Sequence, residues 1–546
     1  MRTVTPQEYA ALTGKAQAYV DAGQLADAEL VLTEIVRLNP REHYAWGLLA
    51  RAALEQGRSD IAQEHARRAL EFDRRNANYL NVLGIAQAES GDLDRAASSF
   101  RRALRERPTH VDAHFNFGKL IEKRGDLPGA IREYDRTLAL DPKHQGALGN
   151  KAYTLLQLDD PEGAIGVLEK SVNEGSADQV NLTIHATALG VARGRDALIA
   201  FLADACRRLP TSGLLRLNYA MTLLKAGEFG RGWQEYLGRN LAGSKSRANI
   251  PGPLPQRLDG RVFRLLPEQG LGDVLFFLRY VPELIARGAK VGIAAPAKLA
   301  RLLARTGVFE SVEERSQSSP SEQVETLFVG DLPGVLRSEA PVPAFRLVPD
   351  PALETEWRTR LAALGPAPYI GVTWRAGTDT RSSPEFGRDR KLLFKEIDPD
   401  ILAGTLRDAP GTLVSLQRQP LADETATLSS ALGRPLHDLS ALNEELESML
   451  GLLAVLDEYV GVSNTNVHLR AGVGRTSRVL VPFPPEWRWM NEGDESPWFP
   501  GCRVYRQLSN RESVERSWAA ALDVLRSDLS GLASREENCL THGGQE

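Results

Sequence analysis

ANYLNVLGIAQAESGDLDRAASSFRRALRERPTH, Ala77 to His110, decides the fold of the first half of this chain. Small residues stand at its eighth and twentieth positions, Gly84 and Ala96. Gly91 sits between two apolar runs, and Pro108 comes near the end. Small residues at those two positions let a pair of helices cross closely. The glycine supplies a turn with positive φ, and the proline stops the second helix. The same spacing recurs every 34 residues without a gap, in windows that begin at Tyr9, His43, Ala77, Val111, Gln145, Gln179 and Gly213. Position 8 reads Ala16, Ala50, Gly84, Gly118, Ala152, Ala186 and Ala220, and position 20 reads Ala28, Ala62, Ala96, Ala130, Ala164, Leu198 and Gly232. One helix pair cannot bury its apolar stripe alone, so stacked pairs form a superhelix with a concave face.

Leu83, Gly84, Gly91, Ala96, Phe100, Ala103 and Pro108 coincide in phase with Phe117, Gly118, Gly125, Ala130, Tyr134 and Pro142 of the next window. On these residues the region resembles the tetratricopeptide repeat family. The windows from Gln145 and Gln179 match less closely. Asn81, Asn116, Asn150 and Asn218 recur near position 6. Their amides suit a clamp on an extended partner peptide, and they equally suit solvated positions of each helix.

Bulk composition narrows the function classes. Lys and Arg number 66 against 71 Asp and Glu, a formal charge of −5, so bulk electrostatics do not argue for nucleic acid or an acidic membrane. Cys206, Cys502 and Cys539 are far apart and odd in number, with neither a disulfide framework nor zinc spacing. The first residues, MRTVTPQEYAALTGKA, lack the layout of a signal peptide, and no apolar run approaches the roughly 18 residues of a membrane helix. A cytoplasmic protein without a metal site is expected.

The repeat stops near residue 242, and Asn240–Pro255, NLAGSKSRANIPGPLP, reads as a linker centred on residues 243–256. Short β-branched runs then alternate with helical stretches. Strands are expected at Arg261–Leu266, Lys290–Ala294 and Val324–Val329, and helices at Asp273–Arg287 and Lys298–Arg305. After a proline-rich stretch, Pro341–Ala367, strands are expected at Tyr369–Trp374, Thr412–Gln417, Glu458–Val462 and Ser477–Val481. Helices are expected at Ile401–Arg407, Glu445–Leu456 and Val467–Gly472. The fold class is therefore multidomain: an all-α superhelix over 9–242, then two Rossmann-like α/β units over 257–350 and 366–530. Residues 531–546 are expected as a flexible tail.

Three stretches carry polar groups at strand ends, where such sheets bind ligands. In Leu265–Leu284 a strand ends, Gly270 and Gly272 give a tight turn, and Asp273 opens a helix as an N-cap or as a cleft residue. In Tyr369–Leu392 a strand opens into a loop with Arg375, Arg381, Arg388, Arg390 and Lys391, either a phosphate clamp or a solvated basic loop. In Glu458–Trp489, Ser463, Asn464, Thr465 and Asn466 precede a helix carrying His468 and suit ribose and phosphate oxygens or plain capping.

Further residues complete a pattern: Gly371-Val372-Thr373-Trp374, Ser415-Leu416-Gln417, Gly474, Pro485-Glu486-Trp487-Arg488-Trp489 and Ser496-Pro497-Trp498. With Gly270-Leu271-Gly272-Asp273 and His468-Leu469, they give residues 260–510 a resemblance to bacterial proteins that join tetratricopeptide repeats to a heptosyltransferase-like glycosyltransferase module of the GT-B fold. The resemblance implies metal-independent sugar transfer from a nucleotide-diphosphate sugar, with no other cofactor. It makes Asp273 the general base. It assigns the nucleotide sugar to Gly270, Gly272, Arg375, Arg388, Arg390, Lys391, Gln417, Ser463, Asn464, Thr465 and His468. The repeats would then recruit a protein or glycan acceptor through Asn81, Asn116 and Asn150. One departure stands out: the family's Asp-Thr, four residues before the His, is Ser463-Asn464 here. Losing that carboxylate leaves a second reading open, a protein–protein interaction scaffold with a degenerate transferase-like module. A two-domain isomerase or epimerase is a third.

Overall fold

The computed structural model describes residues 6–239, 251–314, 324–376, 395–420, 422–508 and 514–542. Side chains of residues 6–10, 422–423, 514–515 and 533–542 are not among those described. The chain divides into two compact units, Met1–Phe201 and Leu202–Glu546.

The first unit is a stack of antiparallel helix pairs in the predicted phase. Its third pair is Ala77–Glu89 and Leu93–Glu106, its fourth Val111–Lys123 and Leu127–Leu140. The small residues are where the backbones meet neighbouring rings. A Cβ on Gly84 would stand 2.8 Å from the Phe100 ring, and one on Gly118 would stand 2.7 Å from that of Tyr134. Ala16, Ala28, Ala50, Ala62, Ala96 and Ala130 have no exposed surface. The turn glycines Gly57, Gly91 and Gly125 adopt φ of 72°, 86° and 87°. In the less regular fifth pair, Asp159 takes that place at φ 60°, a conformation most side chains avoid.

The second unit contains two sheets. The first is β1 (Val262–Leu266), β2 (Lys290–Ala295), β3 (Ser311–Glu314) and β4 (Glu325–Phe328), all parallel, in the order β3-β2-β1-β4. The second comprises β5 (Tyr369–Thr373), β6 (Thr412–Ser415), β7 (Leu436–Asp438), β8 (Glu458–Val462), β9 (Arg478–Val481), β10 (Glu495–Ser496) and β11 (Phe499–Arg506). Its order is β10-β11-β9-β8-β5-β6-β7, parallel except for the β10–β11 pair. Strand order reverses between β1 and β4 in one sheet and between β5 and β8 in the other. Those two reversal points are where a parallel sheet opens a crevice at its carboxyl ends.

Several expectations need correction. The array was expected over residues 9–242 with its last window, which carries Gly232-Trp233 and Tyr236, packed on the first sheet unit; that window, helices Gly213–Lys225 and Phe229–Tyr236, falls within the second unit. Trp233, fully buried, explains this: it packs edge-on against Phe277, Tyr280, Trp487 and Trp498. Burying such a ring in another core stabilises by a few kcal/mol, more than a single repeat interface of alanines offers. The helix expected at Asp273–Arg287 begins at Leu271 and is interrupted by a tight turn at Leu278–Tyr280. Pro282 has no N–H to give to the Leu278 carbonyl, so the α-helical ladder cannot run through. Within the proline-rich stretch, Pro351–Leu364 is a helix, because Pro351 stands at its first turn and Asp350 caps it, accepting from the Ala352 N–H at 2.9 Å. The final helix, Val514–His542, covers much of the expected tail. Trp518, Leu522, Leu525 and Leu529 bury its apolar face.

Candidate functional site

The crevice at the β1/β4 reversal point is closed by the chain itself. Glu268 follows β1, Asp331 follows β4, and Arg239 enters from just beyond the seventh repeat. The Arg239 guanidinium pairs with Glu268 and, at 3.1 Å, with Asp331, all three being buried. Burial opposes the arginine's charge, but Tyr236 and the two carboxylates outweigh it and hold the pKa above the usual value. Gln234 adds a hydrogen bond from its Nε2 to the Gly334 carbonyl at 2.9 Å. This device was not anticipated. Its three members are distant in sequence, and no local motif marks them.

Asp273 lies beside this plug, at the start of the Leu271–Phe277 helix. Its Oδ2 accepts from the Gly270 N–H at 3.2 Å, and its Oδ1 accepts from Arg488. About a quarter of its side chain is exposed. Arg488 also pairs with Glu486, and Glu486 accepts from Lys395 at 2.6 Å and from the Ser463 hydroxyl at 3.1 Å. A continuous polar chain thus runs from Asp273, after β1, to Ser463, after β8. Burial raises the Glu486 pKa, but the Lys395 and Arg488 charges win and hold it well below the usual carboxylate range. Arg488 shows the converse: burial lowers its pKa, while Glu486 and Asp273 hold it well above the ordinary value.

The helix Thr465–Gly472 packs against the helix that bears Asp273. His468 is buried between Phe499 and Phe276, with ring centroids at 5.2 and 6.1 Å. Burial, aided by Arg488 and Arg279, drives its pKa far below 6.5, so it is neutral at pH 7. Gly272 keeps this contact close: a Cβ there would lie 3.0 Å from His468 Cδ2. Asn464 caps the helix: its Oδ1 accepts from the Asn466 N–H at 3.0 Å and from the Tyr459 hydroxyl at 3.0 Å, and its Nδ2 donates to Thr373 Oγ1 at 2.9 Å. Thr465 is half-buried at the mouth. The capping alternative therefore describes Asn464, and His468 is a packed core histidine.

Arg375 and Gln417 hold the strand ends together. Gln417 accepts from the Trp374 and Arg375 N–H groups at 3.0 and 2.9 Å and donates back to the Arg375 carbonyl. The Arg375 guanidinium is buried against Glu424 at 3.0 Å. Arg375 was expected to face phosphate, but a buried guanidinium already matched by a carboxylate has little charge left to offer. Arg381, Arg388, Arg390 and Lys391 lie outside the described residues.

Lys395, Glu486 and Arg488 were not singled out as site residues. The alternation Glu486-Trp487-Arg488-Trp489 was their only signal, two charges sharing one side of a tryptophan-rich turn. Lys225 was missed entirely. It ends the seventh repeat's first helix, which packs against that turn. Burial pulls its ammonium pKa down to about 8, with Glu486 supplying the opposing charge. Between Lys395, Ser463, Glu486 and Trp489 the open space is about 10 Å³, the room of one water.

In the first unit two asparagines of the row turn inward, and Asn116 is half-buried. Asn81 and Asn150 are buried, at 7% and 2% exposure. Asn116 Nδ2 donates to Asn81 Oδ1 at 3.3 Å, bridging two repeats, and Asn150 Nδ2 donates to the Tyr134 hydroxyl at 3.2 Å. Solvated positions were the alternative, and neither buried amide fits it. Among the described residues no group of three His, Cys, Asp or Glu is placed to hold a metal, and no helix is long and apolar enough to cross a membrane.

Residues 4–153 match the family model described as the cilia and flagella-associated protein 70 C-terminal domain. Protein FlbA of Caulobacter vibrioides is 28% identical over 342 residues, 56% of this chain and 55% of that protein. The chain thus spans about half the length of that relative. The solved structure of PilW, a widely conserved type IV pilus biogenesis factor, is 21% identical, covering 39% of this chain and 98% of its own with a TM-score of 0.36. That of MamA is 17% identical, covering 29% and 94%, with a TM-score of 0.27. The helix pairs in 34-residue phase and the match over residues 4–153 make the N-terminal half of this chain a tetratricopeptide repeat array.

Proposed function

We propose that the chain is a metal-independent glycosyltransferase of the GT-B type, working in the cytoplasm, whose repeats recruit a protein or glycan acceptor. The observation that carries this reading is the polar chain Asp273–Arg488–Glu486–Lys395, which links the loop after β1 to Ser463 after β8. In this reading the acceptor hydroxyl attacks the anomeric carbon and gives its proton to the exposed face of Asp273. The bond from that carbon to the diphosphate breaks, and the leaving oxygen takes the electron pair. Lys395 and the N–H groups that open the Thr465–Gly472 helix offset the charge on the departing diphosphate. Gly270 and Gly272 keep the approach to Asp273 free of side chains. Arg388, Arg390 and Lys391, which precede Lys395 in the sequence, are proposed as further phosphate ligands.

Thermal-shift titration with uridine, guanosine and adenosine diphosphates and their sugars tests this directly. A saturable rise in melting temperature is expected, with sugar release or transfer that disappears in Asp273→Asn while the melting curve of the free protein is retained. No shift with any of these ligands overturns it.

A second reading, a protein-interaction scaffold with a degenerate transferase-like module, is favoured by a different observation. Asp273 and Glu486 are already neutralised by Arg488 and Lys395, the hollow beside Ser463 admits about one water, and Arg239 fills the other crevice. It predicts partner capture unchanged by Asp273→Ala and Arg390→Ala. Loss of capture in those variants excludes it.

A further inference from the structure

A second crevice lies away from the polar chain, where four segments of the second unit meet. They are the connection between the sheets at residues 343–349, the helix Pro351–Leu364, the turn after the Thr465–Gly472 helix, and the turn that opens β11. The groove between them has a volume of about 610 Å³, within the range of small-molecule sites. Its floor is apolar and fixed: Leu347 and Phe499 are buried, and the Leu347 N–H donates to the Gly472 carbonyl at 2.9 Å.

Its walls are cationic. Arg346, Arg358 and Arg475 all line it and are exposed. The one lining carboxylate is Glu354, which stands 3.9 Å from Arg358, beyond hydrogen-bonding reach. Arg346 and Arg475 have no acidic partner among the described residues, whereas Arg239, Arg375 and Arg488 are each matched by a carboxylate. The groove therefore carries an excess of about two positive charges on rigid segments. Gly474, at φ 75°, turns the chain so that Arg475 follows immediately, and the space where its Cβ would point is open.

We propose that this groove binds a small organic polyanion, a ligand with at least two phosphate or carboxylate groups held by Arg346, Arg358 and Arg475. Planar guanidinium groups from three separate segments suit divided anionic charge, because each makes a bidentate pair with its own oxyanion. A bound polyanion ties the connection between the sheets to the turn at Gly474. The site is independent of the polar chain at Asp273, so its fate does not follow that of the transferase reading.

Isothermal titration of the full chain with inorganic pyrophosphate and with citrate, each at 150 mM salt, tests the proposal. Saturable 1:1 binding of at least one probe is expected. Arg346→Ala/Arg475→Ala weakens it tenfold or more, and Arg37→Ala, an exposed arginine of the first unit, leaves it unchanged. Slowed hydrogen exchange is expected at 343–349 and 472–476 in the bound state. No binding to either probe, binding that survives the double arginine variant, or binding lost in Arg37→Ala overturns it. The two probes distinguish phosphate from carboxylate as the preferred charge. A double variant with an altered melting curve is replaced by Arg475→Gln, for which a clear loss of affinity is still expected.

Discussion

The two units of this chain use the same residue types to opposite ends. In the repeats, a small residue is a spacer: Gly84 and Gly118 exist so that Phe100 and Tyr134 fit, and the same contact is made once per window. In the α/β unit each small residue answers a single partner. Gly272 makes room for His468, and Gly334 for Leu237 of the seventh repeat. Charge differs likewise. Ion pairs in the first unit are mostly solvent-facing, such as Arg37–Glu34 and Arg68–Glu71. At the two crevices Arg239, Glu268, Asp331 and Arg488 are buried, while Asp273 and Lys395 keep part of their surface. A repeated contact tolerates loss at one copy, whereas a buried, unrepeated charge pair does not.

Four predictions put that contrast at risk. Glu486→Gln leaves Arg488 and Lys395 without their shared buried carboxylate and is expected to cost about 3–5 kcal/mol, lowering the melting of the second unit. Urea denaturation followed by tryptophan fluorescence measures it, because Trp487 and Trp489 flank Arg488. A cost under 1 kcal/mol would mean that these charges are already solvated. Trp233→Ala is expected to cost about 3–5 kcal/mol through the cavity left among four aromatic rings. The loss should appear in the α/β transition, as it does if the seventh repeat folds with that unit. Appearance of the loss only in the transition of residues 1–201 defeats the division.

Gly84→Val drives a side chain into Phe100 and is expected to cost about 1–3 kcal/mol. That is less than the first two, because neighbouring helix pairs can shift. Circular dichroism of the variant reads this, and a larger loss than Trp233→Ala reverses the contrast. The fourth effect, at Lys225, is read through its pH dependence. Its folded pKa, about 8, lies below the ordinary 10.5. Below pH 8 both states hold the proton and folding bears the full desolvation cost. Between pH 8 and 10.5 the unfolded chain binds more protons than the folded one, so stability rises with pH. Lys225→Met is therefore expected to be more stable than the parent at pH 7, with a gap that closes towards pH 10.5. A gap independent of pH removes the buried ammonium.

Most of the repeat architecture was legible because its period is local. Position 8, position 20 and the turn glycine each state their own geometry within one window. Seven strands were legible too, β1, β2, β4, β5, β6, β8 and β9, since β-branched runs with short turns leave few alternatives; the short β3 and β7 were not. The helix at Pro351–Leu364 was hidden by counting its prolines as breakers, when Pro351 sits at the one place a helix accepts it. The site was half legible. Asp273, Ser463, Asn464 and His468 stand at strand ends, where the βα pattern puts them. Glu486, Arg488, Lys395 and Lys225 carry no positional signature, because what joins them is distance across the fold.

Sequence by itself determined the helix pairs, their phase, seven of the strands that follow, the packing of the last window on the first sheet unit, and the absence of a large charge bias. Tertiary structure alone decided that Arg239 closes one crevice. It alone decided that Asp273 is ion-paired, and that Arg346 and Arg475 are left without an acidic partner around a groove. The reason is physical. Periodicity encodes contacts between residues a few positions apart, through backbone geometry that every window shares. Burial and charge pairing depend on which distant segments meet, and that is settled only when the whole unit packs.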